Sequence, residues 1–518
     1  MRKALAVHFD ADMLDLMASA LKEKFPDLIT ERVRNAADAM DQCRAQTGDP
    51  FRVVIAYDSI APDFRTPRNE SEDKGMEFLE SLERVGHGDV PKILIAPTAG
   101  NSLLLRVARL RNGSLMLNEH SDSFEASFVD IVTRALEHPP DDFQDQEKEI
   151  KVVFSLNLEK ECWEYELKGV GFDYKMMKPL ALQVDSLMFR RLVNRSRRAG
   201  ENLNDWEQNL LEIGQDLGGL LLYGNPGFLT ELLNAQAEAG GAGRKSICFS
   251  IEKSVHQAAL EALTDPKEEN FWMLQVPMYR RLIRSGQGAL QRPVLFRERR
   301  RRPESFSALI IESPAEGVVE TLTDKKGRPL QLDPLENVTP EAAAVEQILG
   351  KRASRLKRIG PKDIPVGRKF KDYLQEVLRA EPWDLVHYAG HSHYDETTGK
   401  GHLFFPGEFV EELDMEIFNT YLDHAKTRFI YLGGCKSSEA GFVFELARLQ
   451  IPGVLGFRWP INDRVALEFA KKFYESLFET IAPPCLEKAF LSTRCAIRKT
   501  HKEDKIWAAA MLILQDTD

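Results

Sequence analysis

The chain has 518 residues, 43% of them hydrophobic, with a net charge of −11 at pH 7 and a pI of about 5.7. That length suits about three domains at ~150 residues each, and the acidic balance does not predict a general nucleic-acid-binding surface, while leaving room for a local basic patch. No apolar run reaches the ~18 residues of a membrane helix, so no membrane partner is expected. The six cysteines form no CxxC pair, which argues against a zinc or redox motif and suits a reducing compartment. The N-terminal apolar run breaks at His8 and Asp10, so it lacks a signal-peptide core, and a cytoplasmic location is expected.

Residues 1–140 alternate apolar strands with amphipathic helices: Ala4–Phe9, Met13–Lys24, Arg52–Tyr57, Gly75–Arg84, Lys92–Ala96 and a closing helix Phe124–Leu136. That alternation predicts a parallel, doubly wound sheet. Asp58 ends its strand, with Pro62, Gly75 and Thr98-Ala99 downstream. The region resembles a response-regulator receiver, and the resemblance makes Asp58 the candidate phosphoacceptor. His8-Phe9 replaces the adjacent acidic pair that holds Mg²⁺ in receivers, and Leu117-Asn118-Glu119 stands where a lysine is expected. Mg²⁺ needs hard oxygen ligands close together, so a degenerate receiver acting as a protein-contact module is expected. A phosphorylatable domain is the alternative, and a solvated turn carboxylate the plainest reading of Asp58.

Residues 137–150 are acidic and hold a Pro pair, a linker composition. Lys151–Leu158 and Cys162–Leu167 alternate like strands, and a basic helical run covers Arg190–Arg198. We read 141–204 as linker and small β-rich adaptor. Residues 205–300 read as largely helical, over Trp206–Leu222, Phe228–Ala239 and Val255–Leu263, with a strand at Ile247–Ile251. Ala239–Ser246 hints at a phosphate loop but lacks the required glycine before Lys245 and a preceding strand. Arg297–Arg302 is a charge run, read as an exposed loop or, alternatively, a self-cleavage site or anionic contact.

The core is expected over 305–518. Ser307–Glu312 is a buried strand, and a polar hairpin surrounds Lys325-Lys326-Gly327. A helix over Thr339–Leu349 starts with Thr339 as cap and Pro340 first. A helix at Tyr373–Ala380 precedes two further apolar strands. One runs into Gly390-His391-Ser392-His393, the other into Gly433-Gly434-Cys435-Lys436. Chemistry collects at the carboxyl ends of parallel strands, so neighbouring strands would bring an imidazole and a thiol together. The imidazole could take the thiol proton. Gly434 offers an open backbone amide for an oxyanion, and Gly390 a sharp turn aiming His391 outward. Helices at Gly441–Leu449, Ala466–Phe478 and 485–500, and strands Val454–Trp459 and Ala508–Leu514, complete the pattern. His387 reads as packed inside its strand. Without a carboxylate cluster no metal is expected beside His387, His391, His393 and His402. Cys485 and Cys495 read as core.

This order, GHSHYD, then YLGGCKSS, then GFRWPIND, then FYESL, then Trp507-Ala508-Ala509, resembles the CHAT family of caspase-like cysteine peptidases, relatives of caspases and separases. The resemblance spans roughly 205–518 and implies a caspase-like α/β sandwich. It puts the family's histidine on His391 and its nucleophile on Cys435, with no cofactor. Lys436 departs from the acidic or polar residue usual after the nucleophile. Trp459 and Asp463 would fall near the substrate cleft, where Asp463 could hold a basic substrate side chain; an N-cap for the following helix is the preferred reading of Asp463. The implied function is a cysteine endopeptidase that cuts a specific protein, gated by a protein partner through residues 1–200 and part of a bacterial defence or signalling system. A catalytically silent scaffold is the alternative.

Overall fold

The computed structural model describes, in the main, residues 2–45, 51–58, 74–96, 113–117, 149–157, 162–169, 172–179, 187–201, 205–221, 244–251, 256–265, 270–282, 294–296, 305–395, 398–434, 451–479 and 484–515. The chain divides into two compact units. The first is built on five parallel strands: β1 (Arg2–Val7), β2 (Leu28–Val33), β3 (Val53–Tyr57), β4 (Lys92–Ala96) and β5 (Gly113–Leu117). Their order, β2-β1-β3-β4-β5, is that of a doubly wound receiver-type sheet. Helices α1 (Ala11–Lys24), α2 (Ala36–Ala45) and α3 (Lys74–Arg84) connect them. Asp10 caps α1 by accepting from the Asp12 amide at 2.8 Å. Ala4, Ala6, Val53, Ile55, Ile93 and Ile95 of the central strands pack on Leu14, Met17 and Leu21 of α1. Fully burying each of the larger side chains stabilises the fold by ~1.5–3 kcal/mol. The sequence reading passed over β2, whose charged Glu31 and Arg32 disguise a strand buried only at Leu28 and Val33. Most of the closing helix expected at 124–136 lies outside the described residues.

Strands β6 (Glu149–Asn157), β7 (Cys162–Gly169) and β8 (Phe172–Pro179) lie side by side in chain order. Helices α4 (Leu187–Glu201) and α5 (Trp206–Leu221) follow, and Arg195 of α4 pairs with Asp216 of α5. Strand β9 (Arg244–Ile251) precedes a short pair, β10 (Thr264–Asp265) and β11 (Asn270–Phe271), and then β12 (Met278–Leu282). The helix expected at 255–263 is one turn of 3₁₀ helix at Leu260–Ala262. Arg280 explains this. Its guanidinium donates to the His256 and Ala258 carbonyls, both at 2.6 Å, and grips the Glu261 carboxylate at 2.6 and 2.7 Å. The His256 carbonyl is thus taken up by a side chain, and the Ala258 carbonyl is shared between the guanidinium and the Leu260 amide at 3.0 Å, so neither enters a helical ladder.

The rest of the second unit comprises β13 (Ser307–Ser313), β14 (Gly317–Thr323), β15 (Pro329–Leu332), α6 (Val338–Leu349), β16 (Arg355–Ile359), α7 (Phe370–Ala380), β17 (Leu385–Gly390), β18 (Ser392–Asp395), β19 (Lys400–Phe405), β20 (Glu411–Asp414), α8 (Met415–His424), β21 (Phe429–Leu432), β22 (Gly453–Phe457), α9 (Asp463–Phe478), α10 (Leu486–Thr500) and β23 (Ala510–Leu514). Its sheet runs β16-β13-β17-β21-β22-β23-β12-β9, parallel except that β23 opposes β22. Strands β13, β17, β21, β22 and β23 are buried along their whole length, as befits a sheet covered by helices. Beside it stand the β14–β15 hairpin and a three-stranded antiparallel sheet, β18-β19-β20. Ala315, Val319, Leu322, Leu332 and Phe404 form the small core between them. Helix α6 starts earlier than expected, at Val338 with Asn337 as N-cap, so Thr339 is inside it. Among the described residues, no helix is long and apolar enough to cross a membrane.

Candidate functional site

The strands that carry the two motifs are neighbours. β17 and β21 pair in parallel with Tyr388 opposite Leu432, and the Gly433 amide extends the ladder to the Tyr388 carbonyl at 2.8 Å. β17 then runs on to Gly390, two residues past the last pair, while β21 gives way to Gly433 and Gly434. Gly390 is the last residue of β17 and does not adopt a positive φ, so the sharp turn expected there is absent. Glycine is required for a different reason: a Cβ would sit 2.7 Å from the Ser313 carbonyl oxygen and 2.8 Å from Tyr388 Oη. A Cβ on Gly434 would overlap the Ser392 side chain. The chain at Gly434 thus abuts the residue that follows His391. Cys435, the next residue, lies outside the described residues, as do Lys436 and most of the helix expected at 441–449.

His391 is half-buried. Its Nε2 donates to the Asp333 main-chain carbonyl at 2.7 Å, just past the end of β15. A carbonyl can only accept, so Nε2 carries the proton and the neutral ring keeps its lone pair on Nδ1. Burial pushes the His391 pKa below the usual histidine value; the Asp333 carbonyl and the charges of Asp333 and Asp463 act the other way. The backbone of His391 is held separately. Tyr388 Oη lies 2.6 Å from the His391 carbonyl and 3.0 Å from that of Phe404, and its one proton serves either. Burial raises the Tyr388 pKa, so it stays a donor.

Below this level lies a buried polar cluster. His387 is fully buried in β17, as expected. Its Nδ1 is 3.2 Å from Tyr474 Oη on α9, and its Nε2 is 3.1 Å from Glu341 Oε1 on α6. In the second contact neither atom makes a well-angled hydrogen bond. The rings of His387 and Tyr431 are 4.7 Å apart. Burial, and then the Glu341 charge, raise the Tyr431 and Tyr474 pKa values far above the ordinary phenol. His402 approaches Glu412 at 2.7 Å and holds that carboxyl below its usual range. No group of three or more His, Cys, Asp and Glu suits a metal among the described residues.

Asp463 is not the cap of its helix. Asn462 is, accepting from the Arg464 and Val465 amides, and Asp463 is the first helical residue. Asp463 Oδ2 instead accepts from the Asn337 amide at 2.8 Å and from Asn337 Nδ2 at 2.9 Å. Trp459 is only 4% exposed, and its ring lies against Gly200 of α4 so closely that a Cβ there would overlap it. It packs against α4 instead of lining an open cleft. Lys505 donates to the Gly200 carbonyl beside it. Asp58 follows β3, half-buried, in the first unit. Cys495 is exposed, with Sγ 3.2 Å from the Leu274 carbonyl, so it is not core; Cys485 is buried.

The sequence reading missed Asp333, Asn337 and Glu341. Asp333 acts through its main chain, which leaves no side-chain signal. Glu341 did leave one: it shares the buried face of α6 with Ala342, Val345 and Leu349, and a carboxylate on an apolar stripe needs a partner.

The family model of the CHAT domain matches residues 226–515. No curated protein matches the chain. The chain is similar to solved structures of a CheY-like response regulator receiver domain protein from Methanospirillum hungatei JF-1 (14% identity, covering 26% of this chain and 94% of that one, TM-score 0.22). It is similar also to a response regulator receiver protein from Pseudoalteromonas atlantica (18%, 26% and 97%, TM-score 0.21) and to a two-component response regulator from Clostridium difficile (12%, 27% and 100%, TM-score 0.21).

Proposed function

Because the chain belongs to the CHAT domain family, we propose that it is a caspase-like cysteine endopeptidase with Cys435 as nucleophile and His391 as proton carrier. The supporting observation is the state of His391: Nε2–H is committed to the Asp333 carbonyl, which leaves Nδ1 as the base beside a strand that is followed by Gly433-Gly434. In the reaction, Nδ1 takes the Cys435 thiol proton and the sulfur bonds to the scissile carbonyl carbon. The Gly434 and Cys435 amides receive the oxyanion. As the C–N bond breaks, the imidazolium gives its proton to the leaving amine. A water, deprotonated by Nδ1, then hydrolyses the thioester and returns the thiol.

The substrate is a specific protein, and residues 1–200 recruit or gate the enzyme through a partner, in a bacterial defence or signalling setting. A silent scaffold is the second reading. It draws on the packed rings of His8, Phe9 and Tyr57 at the strand ends of the first unit, which suit a binding role there. Co-expression with the proteins encoded beside it, comparing wild type with Cys435→Ala, tests the peptidase. A fragment made by wild type alone is expected, and its new N-terminus identifies the residue cut after. No fragment, together with Cys435 alkylating no faster than the other cysteines, would favour the scaffold.

A further inference from the structure

We propose that Asp463 is a positioning residue for His391, acting through Asn337 and the short segment 333–337; the proposal rests on the Cys435–His391 reading above. The segment begins where β15 ends, and Leu332 is still paired with Gly317 across the hairpin. Asp333 comes next and gives its carbonyl to His391 Nε2 at 2.7 Å. At the other end Asn337 caps α6, its carbonyl accepting the Glu341 amide at 2.8 Å. Asp463 Oδ2 accepts both donors of Asn337, from its backbone and its side chain. The Asp333 carbonyl is therefore strung between two fixed points, a paired strand and a carboxylate.

Asp463 is itself fixed. It is the first residue of a long helix that buries Val465, Ala466, Phe469 and Phe473, and the helix N-terminus favours its negative charge. The contact joins two stretches 126 residues apart in sequence and ties α9 to the acceptor that fixes the tautomer of His391. Asp463 also acts through space. It and Asp333 are the charged groups whose fields favour the His391 imidazolium, against burial; Tyr388 reaches only the His391 main chain. Removing the carboxylate should thus cost the ring its place, whereas removing only the charge should change its proton affinity.

The test uses the full chain with Asp463→Ala, Asp463→Asn and Asn337→Ala. Two readouts apply: Cys435 alkylation by iodoacetamide, followed by mass spectrometry, and the titration of His391 by NMR of histidine-labelled protein, assigned by the signal missing in His391→Ala. Asp463→Ala should slow alkylation by about tenfold, the worth of a charge-assisted hydrogen bond. Asp463→Asn keeps an acceptor oxygen, so it should restore most of that rate while moving the His391 midpoint to lower pH. Unchanged alkylation in Asp463→Ala, or an unmoved midpoint in Asp463→Asn, overturns the proposal. If Asp463→Ala does not fold, Asn337→Ala, which removes one of the two donors, takes its place, with a severalfold slowing expected and none overturning the proposal. If His391→Ala alkylates as fast as wild type, the dyad reading falls, and the midpoint in Asp463→Asn still decides whether Asp463 acts on His391.

Discussion

The two large, mainly parallel sheets described above end in opposite ways. In the first unit, the ends of β1 and β3 are closed by rings: His8 is 3% exposed and 4.5 Å, centroid to centroid, from Tyr57. The Asp10 amide donates to His8 Nδ1 at 2.9 Å, fixing that ring too. In the second unit, the ends of β17 and β21 meet at glycines, and His391, which follows Gly390, is held among the described residues by a main-chain oxygen at Nε2. Parallel strand ends are an opportunity for chemistry in both. What fills the space differs: packed aromatic rings stand at the ends of β1 and β3, and glycines at the ends of β17 and β21.

The largest effect should come from breaking the second region at His391. His391→Ala should lower kcat/KM on the processed protein by ~10²–10⁴-fold, the range of a general acid–base group, with the melting temperature little changed; a loss under tenfold would remove His391 from the mechanism. Gly434→Ala comes next. Its new methyl group overlaps Ser392, and overpacking of this kind costs about 1–3 kcal/mol, to be read from denaturant midpoints; an unshifted midpoint would mean that the turn has room.

A subtler effect lies in pH. The folded pKa of His391 is below its unfolded value, so the neutral base persists into mild acid. The acid limb of kcat/KM should lie below the ordinary histidine value of ~6.5. For the same reason the contribution of His391 to stability is lost only as pH falls below that unfolded value. A limb at or above the ordinary value contradicts the burial argument. The smallest effect sharpens the other side of the comparison: a small phosphodonor with Mg²⁺ should leave Asp58 unlabelled by intact-mass measurement, and labelling would show that the rings do not block it.

The pair of strand ends was legible because a buried parallel strand reads as an unbroken apolar run, and Gly390 and Gly433-Gly434 mark where the two runs stop. Their register, Tyr388 against Leu432, was not legible, since it depends on partners far apart in sequence. The support of His391 was hidden for the same reason and one more: a main-chain carbonyl has no residue identity. Asp463 was singled out but misread, because the neighbouring Asn462 offers equal capping chemistry and only the fold shows that Asn337 needs the carboxylate. The failed helix at 255–263 was local propensity overruled by one buried arginine, Arg280.

Gly200 and Trp459 together bear on where the chain can be divided. The family match begins at residue 226, yet Gly200 covers the Trp459 ring and offers its carbonyl to Lys505. A truncated chain starting at 205 would shed that cover and expose an indole face to water. The smallest piece that folds as it does in the whole protein therefore begins before α4, and swaps of this domain between relatives should carry the helix with it.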